Sequence, residues 1–117
     1  MNGQALASKS LIGIVTSAGL ADAARLMVQK NIGALGVYSL DQHELLGVIT
    51  ERDITRAVAG GLNPADTGVS EAMSASPLVA EGVITRAEAA ELMRKGHVRH
   101  LIIKQDGSDR IVSIRDL

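Results

Sequence analysis

The chain has 117 residues, 46% hydrophobic and 21% charged, which suits one compact domain with a buried core and excludes a disordered chain. A net charge of -1 and a lone aromatic, Tyr38, exclude a basic nucleic-acid binder and a base-stacking single-strand module. With no cysteine there is no disulfide, no thiolate nucleophile and no cysteine-type zinc site.

The opening "MNGQALASKS" lacks a basic start followed by an apolar stretch, so it is not read as a signal peptide. No apolar run approaches a membrane span. The expectation is a cytoplasmic protein with no membrane segment. A short strand is expected at "LIGIV", Leu11 to Val15. Leu20, Ala23, Ala24 and Met27 then follow at i, i+3, i+4 and i+7, the apolar face of a helix, with Asn31 where it would stop. Two strands come next, "ALGVYS" and "LLGVIT", joined by the polar turn "LDQHE". A second helix is expected through "ERDITRAVAG", with Ile54, Ala57 and Val58 on its buried side and Gly60-Gly61 as its stop. "LNPADTG" reads as a linker and "VSEAM" as a short helical turn.

The order then recurs. "PLV", Pro77 to Val79, is a short apolar segment. Thr85 and Glu88 have capping-box spacing, and Gly96 marks the expected stop of the helix they open. "RHLIIK" and "RIVSI" read as strands joined by "QDGSD". Shifted by 66, Leu20 to Val37 falls on Arg86 to Ile103 with six identities, including Leu26/Leu92 and Met27/Met93. Shifted by 63, Thr50, Arg52 and Asp53 fall on Ser113, Arg115 and Asp116. Two segments that align at consistent offsets indicate duplication. The expected architecture is α/β: two β-α-β-β-α units packed sheet against sheet.

Thr50 ends a strand, and Asp53 lies in the first turn of the following helix. A helix N-terminus has unpaired N–H groups and a partial positive charge, so it favours anions. A carboxylate there can accept hydrogen bonds from a ribose diol, and the threonine hydroxyl can meet a phosphate or sugar oxygen. The plainer reading is that Thr50 caps the Asp53 N–H. Recurrence of the same Arg-Asp pair in the second copy favours a ligand. Arg52 and Arg115 could reach phosphate or pair with surface carboxylates. His97 and His100 straddle a loop and a strand with Arg99 between them, so no metal site is expected. No nucleophile-base arrangement points to an enzyme.

The stretches "LADAARLMVQKNIGALGV…LLGVITERDI" and "AAELMRKGHVRHLII…IVSIRDL" resemble two tandem CBS domains, named for cystathionine β-synthase, over most of the chain from Leu11 to Leu117. Such a pair is called a Bateman module. The resemblance implies two repeats related by a pseudo-two-fold axis. It sets an N-terminal segment at 1–10, repeat one at 11–61, a linker with a short helical turn at 62–76 and repeat two at 77–117. Repeat two is expected without its last helix, since the sequence stops at Leu117, and that abrupt end raises the alternative of a trimmed part of a larger protein.

The resemblance also implies a regulatory module that binds an adenine nucleotide (AMP, ADP or ATP, with NAD(H) or S-adenosylmethionine as further ligands) in a cleft between repeats. It implies a homodimer, no required cofactor and no nucleic-acid polymer as partner. The alternative is a dimerising interaction scaffold with a vestigial cleft. By resemblance, site one joins Thr50, Arg52 and Asp53 to the early strand at Leu78 and Val79 and to the strand entry Val98, Arg99 and His100. Site two joins Ser113, Arg115 and Asp116 to Thr16 and Ser17 and to the strand entry Ile32, Gly33 and Ala34. The aspartates are expected on ribose, the hydroxyls near phosphate and the strand-entry backbone on adenine. Site one is expected to be the stronger, because Asp116 has no following helix.

Overall fold

The computed structural model describes residues 6–117. Residues 1–5 of the N-terminal segment expected over 1–10 therefore lie outside the described residues. The chain divides into two compact units. The first is Ile12–Ser76, and the second joins residues 6–11 to Pro77–Leu117.

The two-residue strand β1 (Lys9–Ser10) belongs to the second unit, although it leads directly into the first. The first unit then runs β2 (Gly13–Val15), α1 (Leu20–Lys30), β3 (Ala34–Tyr38), β4 (Leu45–Thr50), α2 (Glu51–Ala59), α3 (Val69–Ala72) and β5 (Ser74–Ala75). The strand expected from Leu11 is shorter than its apolar pattern. Leu11 donates its N–H to the Asp109 carbonyl in the second unit, and β2 starts only at Gly13.

Helix α1 forms where the 3.6-residue period is regular. Leu20, Ala23 and Met27 are buried against Leu35, Val37 and Ile49 from the hairpin. Asn31 ends the helix in the left-handed conformation, φ 53°, and its N–H returns to the last turn. Helix α2 buries Ala57 and packs Ile54 against the same core. Val58, expected on that buried side, is 52% exposed. It lies one residue on from Ala57, about 100° around the helix, and so points away from the face that Ala57 buries. The segment 62–68 supplies carbonyls to the start of α1: Leu20 N–H donates to Thr67 O at 2.8 Å and Ala21 N–H to Pro64 O at 3.1 Å. That loop satisfies donors that a helix start otherwise leaves open.

The second unit continues with β6 (Val79–Glu81), α4 (Arg86–Gly96), β7 (His100–Gln105), β8 (Ser108–Ser113) and a 3-10 turn at Ile114–Asp116. Of the apolar segment Pro77–Val79 only Val79 is in the strand, although the Leu78 carbonyl already accepts from Ile102 N–H. Thr85 and Glu88 form the expected capping box, Glu88 N–H to Thr85 Oγ1 at 3.1 Å and Thr85 N–H to Glu88 Oε1 at 3.0 Å. The expected stop at Gly96 moves by one residue. Gly96 is still helical, and His97 takes the left-handed cap at φ 53°. Ala89 and Met93 are buried with Leu101, Ile103 and Val112, and Leu6 packs against them.

Each unit has a four-stranded sheet, β2-β3-β4-β5 in the first and β1-β8-β7-β6 in the second. In both, a parallel strand and a short antiparallel strand flank a central hairpin. The register of the duplication holds at the level of the backbone. Gly13 is paired with Gly36 in the first unit, and Val79 with Ile102 in the second. The fold is thus mixed α/β and built twice, and in the second copy a 3-10 turn follows the hairpin as α2 does in the first.

Candidate functional site

The chemistry-bearing residues gather at strand ends, and strand direction decides which of them meet. β3 and β4 are antiparallel, so the entry of β3 lies beside the exit of β4. Ala34 is paired with Thr50, and Glu51 N–H donates to Gly33 O at 3.0 Å. Ile32, Gly33 and Ala34, expected with Ser113, Arg115 and Asp116, therefore sit beside Thr50, Arg52 and Asp53 in one unit. β2 and β3 are parallel, and Thr16 N–H donates to Tyr38 O at 2.8 Å. Thr16 and Ser17 thus lie at the opposite end of the sheet, roughly 13 Å away along β3.

In the second unit His100 is paired with Ser113, and Ile114 N–H donates to Arg99 O at 2.8 Å. These are the counterparts of the Ala34–Thr50 and Glu51–Gly33 links. Val98 N–H closes on Met93 O, and Leu78 O accepts from Ile102 N–H at 3.0 Å. Leu78 and Val79 therefore start their strand close to the end that carries Val98, Arg99, His100, Ser113, Arg115 and Asp116.

The Asp53 carboxylate is held firmly through one oxygen. Oδ2 accepts from Thr50 N–H at 2.9 Å and from Thr50 Oγ1 at 3.0 Å, while Asp53 N–H donates to Thr50 Oγ1 at 3.2 Å. The capping reading of Thr50 is realised, and its hydroxyl is spent on Asp53. Oδ1 makes no hydrogen bond among the described residues and stays available at the start of α2. The second copy is looser. Ser113 N–H reaches Asp116 Oδ2 at 3.3 Å, and the Ser113 hydroxyl accepts from Arg115 N–H at 3.2 Å, one residue earlier than in the first copy.

Neither Arg52 nor Arg115 pairs with a carboxylate among the described residues, so both guanidinium groups are free of the surface pairing open to them. No group of three histidine, aspartate or glutamate side chains among the described residues is placed to hold a metal ion.

Glu51 was visible in sequence only as a surface partner for arginine. A Cβ added to Gly33 would stand 2.5 Å from Glu51 Oε1, so the carboxylate lies directly over the Gly33 backbone. The signal for this was indirect: a glycine at the strand entry and an acid after the strand-end hydroxyl, brought together only by the β3–β4 register.

Comparison with known proteins gives a consistent answer. The CBS domain family model matches residues 5–60. Over 98 residues the chain is 34% identical to CBS domain-containing protein CBSCBSPB2 of Arabidopsis thaliana, a match covering 82% of this chain and 18% of that protein. Over 97 residues it is 34% identical to CBS domain-containing protein YhcV of Bacillus subtilis, covering 82% of this chain and 68% of that one. The chain thus spans less than a fifth of the plant relative and about two thirds of the bacterial one. The solved structure of CBS domain protein PAE2072 from Pyrobaculum aerophilum, complexed with AMP, superposes with a TM-score of 0.81 at 25% identity, covering 93% of this chain and 84% of that one.

Proposed function

The chain belongs to the CBS-domain family, and from that premise we propose that it is a regulatory module that binds an adenine nucleotide at its strand ends. The observation that carries the reading is the Asp53 carboxylate, with Oδ2 locked by Thr50 and Oδ1 open at the start of α2. A fixed acceptor of this kind suits a ribose hydroxyl, because its orientation entropy is already lost before binding. In this reading Thr50 positions Asp53, the Gly33 and Ala34 backbone faces the base, and Arg52 is the nearby cation for phosphate. Asp116, held by a single 3.3 Å bond where Asp53 has two of 2.9 and 3.0 Å, is the weaker counterpart. The relative solved with AMP supports an adenine ligand.

The module reads as non-catalytic. Binding would act by favouring one of two conformations, and only by the difference in affinity between them.

Calorimetric titration with AMP, ATP, NADH and S-adenosylmethionine, alongside Asp53→Ala and Asp116→Ala, tests this. We expect binding by at least one ligand, lost in Asp53→Ala and retained in Asp116→Ala. At about 100 times its Kd the ligand should add roughly 2.7 kcal/mol of stability, seen as a higher Tm. Absence of binding by all four to folded protein would overturn the reading.

One observation favours a second reading, a self-associating scaffold. Val28 on α1 is 82% exposed, and Val58 on α2 and Leu62 just after it are 52% and 45% exposed. A homodimer would cover such residues, and sedimentation equilibrium without nucleotide reads it directly. A monomer at all concentrations would remove that reading.

A further inference from the structure

The two units use the same backbone link with opposite chemistry around it. In the first, the N–H of Glu51 donates to the carbonyl of Gly33. In the second, the N–H of Ile114 donates to the carbonyl of Arg99. An acid beside a bare backbone thus corresponds to an apolar residue beside a cation. The Glu51 side chain folds over Gly33, within 2.5 Å of where a Cβ would stand. Glycine makes that position possible, since any side chain would have to displace the carboxylate. Glu51 is exposed and has no ion pair or side-chain hydrogen bond among the described residues, the neighbouring Arg52 included.

We propose that Glu51 is a charge filter at the first unit's strand end, one that makes this end prefer adenosine ligands with few phosphates. The inference rests on the nucleotide reading above and names what selects among nucleotides there. A base lying against the Gly33 and Ala34 backbone has to share that surface with the Glu51 carboxylate. Phosphates on the same ligand then lie within reach of a negative charge. At roughly 9 Å and an effective dielectric of about 40–80, each added phosphate charge weakens binding about two- to fivefold. The penalty falls with added salt, since the Debye length is only about 8 Å at physiological ionic strength. Arg99 has no acid at the equivalent place, so the second unit's end carries no such penalty.

The test compares adenosine, AMP and magnesium-free ATP by calorimetry on the full chain, in wild type, Glu51→Gln and Glu51→Lys, at low and high salt. Glu51→Gln keeps the shape over Gly33 and removes the charge. Melting curves check that each variant is folded. The expected result is that ATP affinity relative to adenosine rises by at least fivefold in Glu51→Gln and further in Glu51→Lys, with both gains shrinking at high salt. An unchanged ratio, or an equal shift for all three ligands, would overturn the filter while leaving the nucleotide reading standing. No binding of any ligand by wild type or variants would overturn the nucleotide reading and the filter with it.

Discussion

The first and second units share a backbone plan and differ in what fills it. Helix α1 starts with Leu20 fully buried, its N–H groups closed by the carbonyls of Pro64 and Thr67 and by Asp22. Helix α4 starts with exposed Arg86 at the matching place, closed instead by the Thr85 hydroxyl and Glu88. On the last strand of the hairpin, Gly47 in the first unit matches Arg110 in the second. Gly47 admits the close approach of β5, since a Cβ there would stand 2.6 Å from Ser74 O and 2.8 Å from Met73 Sδ. Arg110 does the opposite. It spans to β1's side of the sheet, its Nε donating to Ser8 Oγ at 2.7 Å and its NH2 group to the Ser8 carbonyl. The backbone requirement is to close the helix start and seat a short edge strand. The side chain that meets it is free to change, which is why identity between the copies is low while register is retained.

The sharpest way to break this comparison is at the helix starts. Leu20→Ala should cost about 2–5 kcal/mol, because it opens a cavity at a fully buried core position. Arg86→Ala should change stability by less than about 0.5 kcal/mol. Urea titration of both variants reads the difference, and equal losses would show that the matched positions are not used differently.

A middle-sized effect is expected on the edge strands. Gly47→Ala should cost about 1–3 kcal/mol through overpacking against Ser74 and Met73. Arg110→Ala should cost about 1–2 kcal/mol as its two bonds to Ser8 are lost. Amide exchange then separates the two. Faster exchange near Ser74–Ala75 is expected in the first variant and near Lys9–Ser10 in the second. A uniform change across both sheets would contradict the local account.

The smallest effect is with pH. The Gly19 N–H, then the Arg25 guanidinium, holds the Asp22 carboxyl below its usual range, and the Thr85 N–H does the same for Glu88. A carboxyl lowered in the folded state stabilises above its unfolded pKa, about 3.9 for Asp and 4.3 for Glu, and loses that as pH falls through the folded value. Melting temperature should therefore be level above about pH 5 and decline below about pH 4. Asp22→Asn and Glu88→Gln should each flatten the decline. Unchanged slopes in both would remove these caps as its cause.

The larger part of the fold was legible because periodic patterns and turn chemistry are local. Leu20 to Met27, the β4 bounds at Leu45 and Thr50 and the Thr85 capping box all followed from spacing. Errors fell where one residue decides between neighbours. Gly96 was a plausible stop, yet His97 took the left-handed turn, since histidine tolerates that conformation when its N–H returns to the helix. Val58 looked apolar enough to bury, but helical geometry gave that place to Ala57.

The candidate site divides in the same way. Thr50 and Asp53 stood out by recurrence, while the placement of Thr16 away from Ile32–Ala34 depended on strand direction, which no composition encodes.

By itself, the sequence determined the duplication, the helices and hairpins of each copy and the two hydroxyl-aspartate strand ends, because each rests on residues close along the chain. Only the tertiary structure decided that β1 joins the second unit's sheet while β5 joins the first's. Two-residue strands have no period to read, and they gain their hydrogen bonds only once a finished hairpin offers an open edge. It likewise decided that Glu51 lies over Gly33, since residues 18 apart meet only when β3 and β4 pair in register.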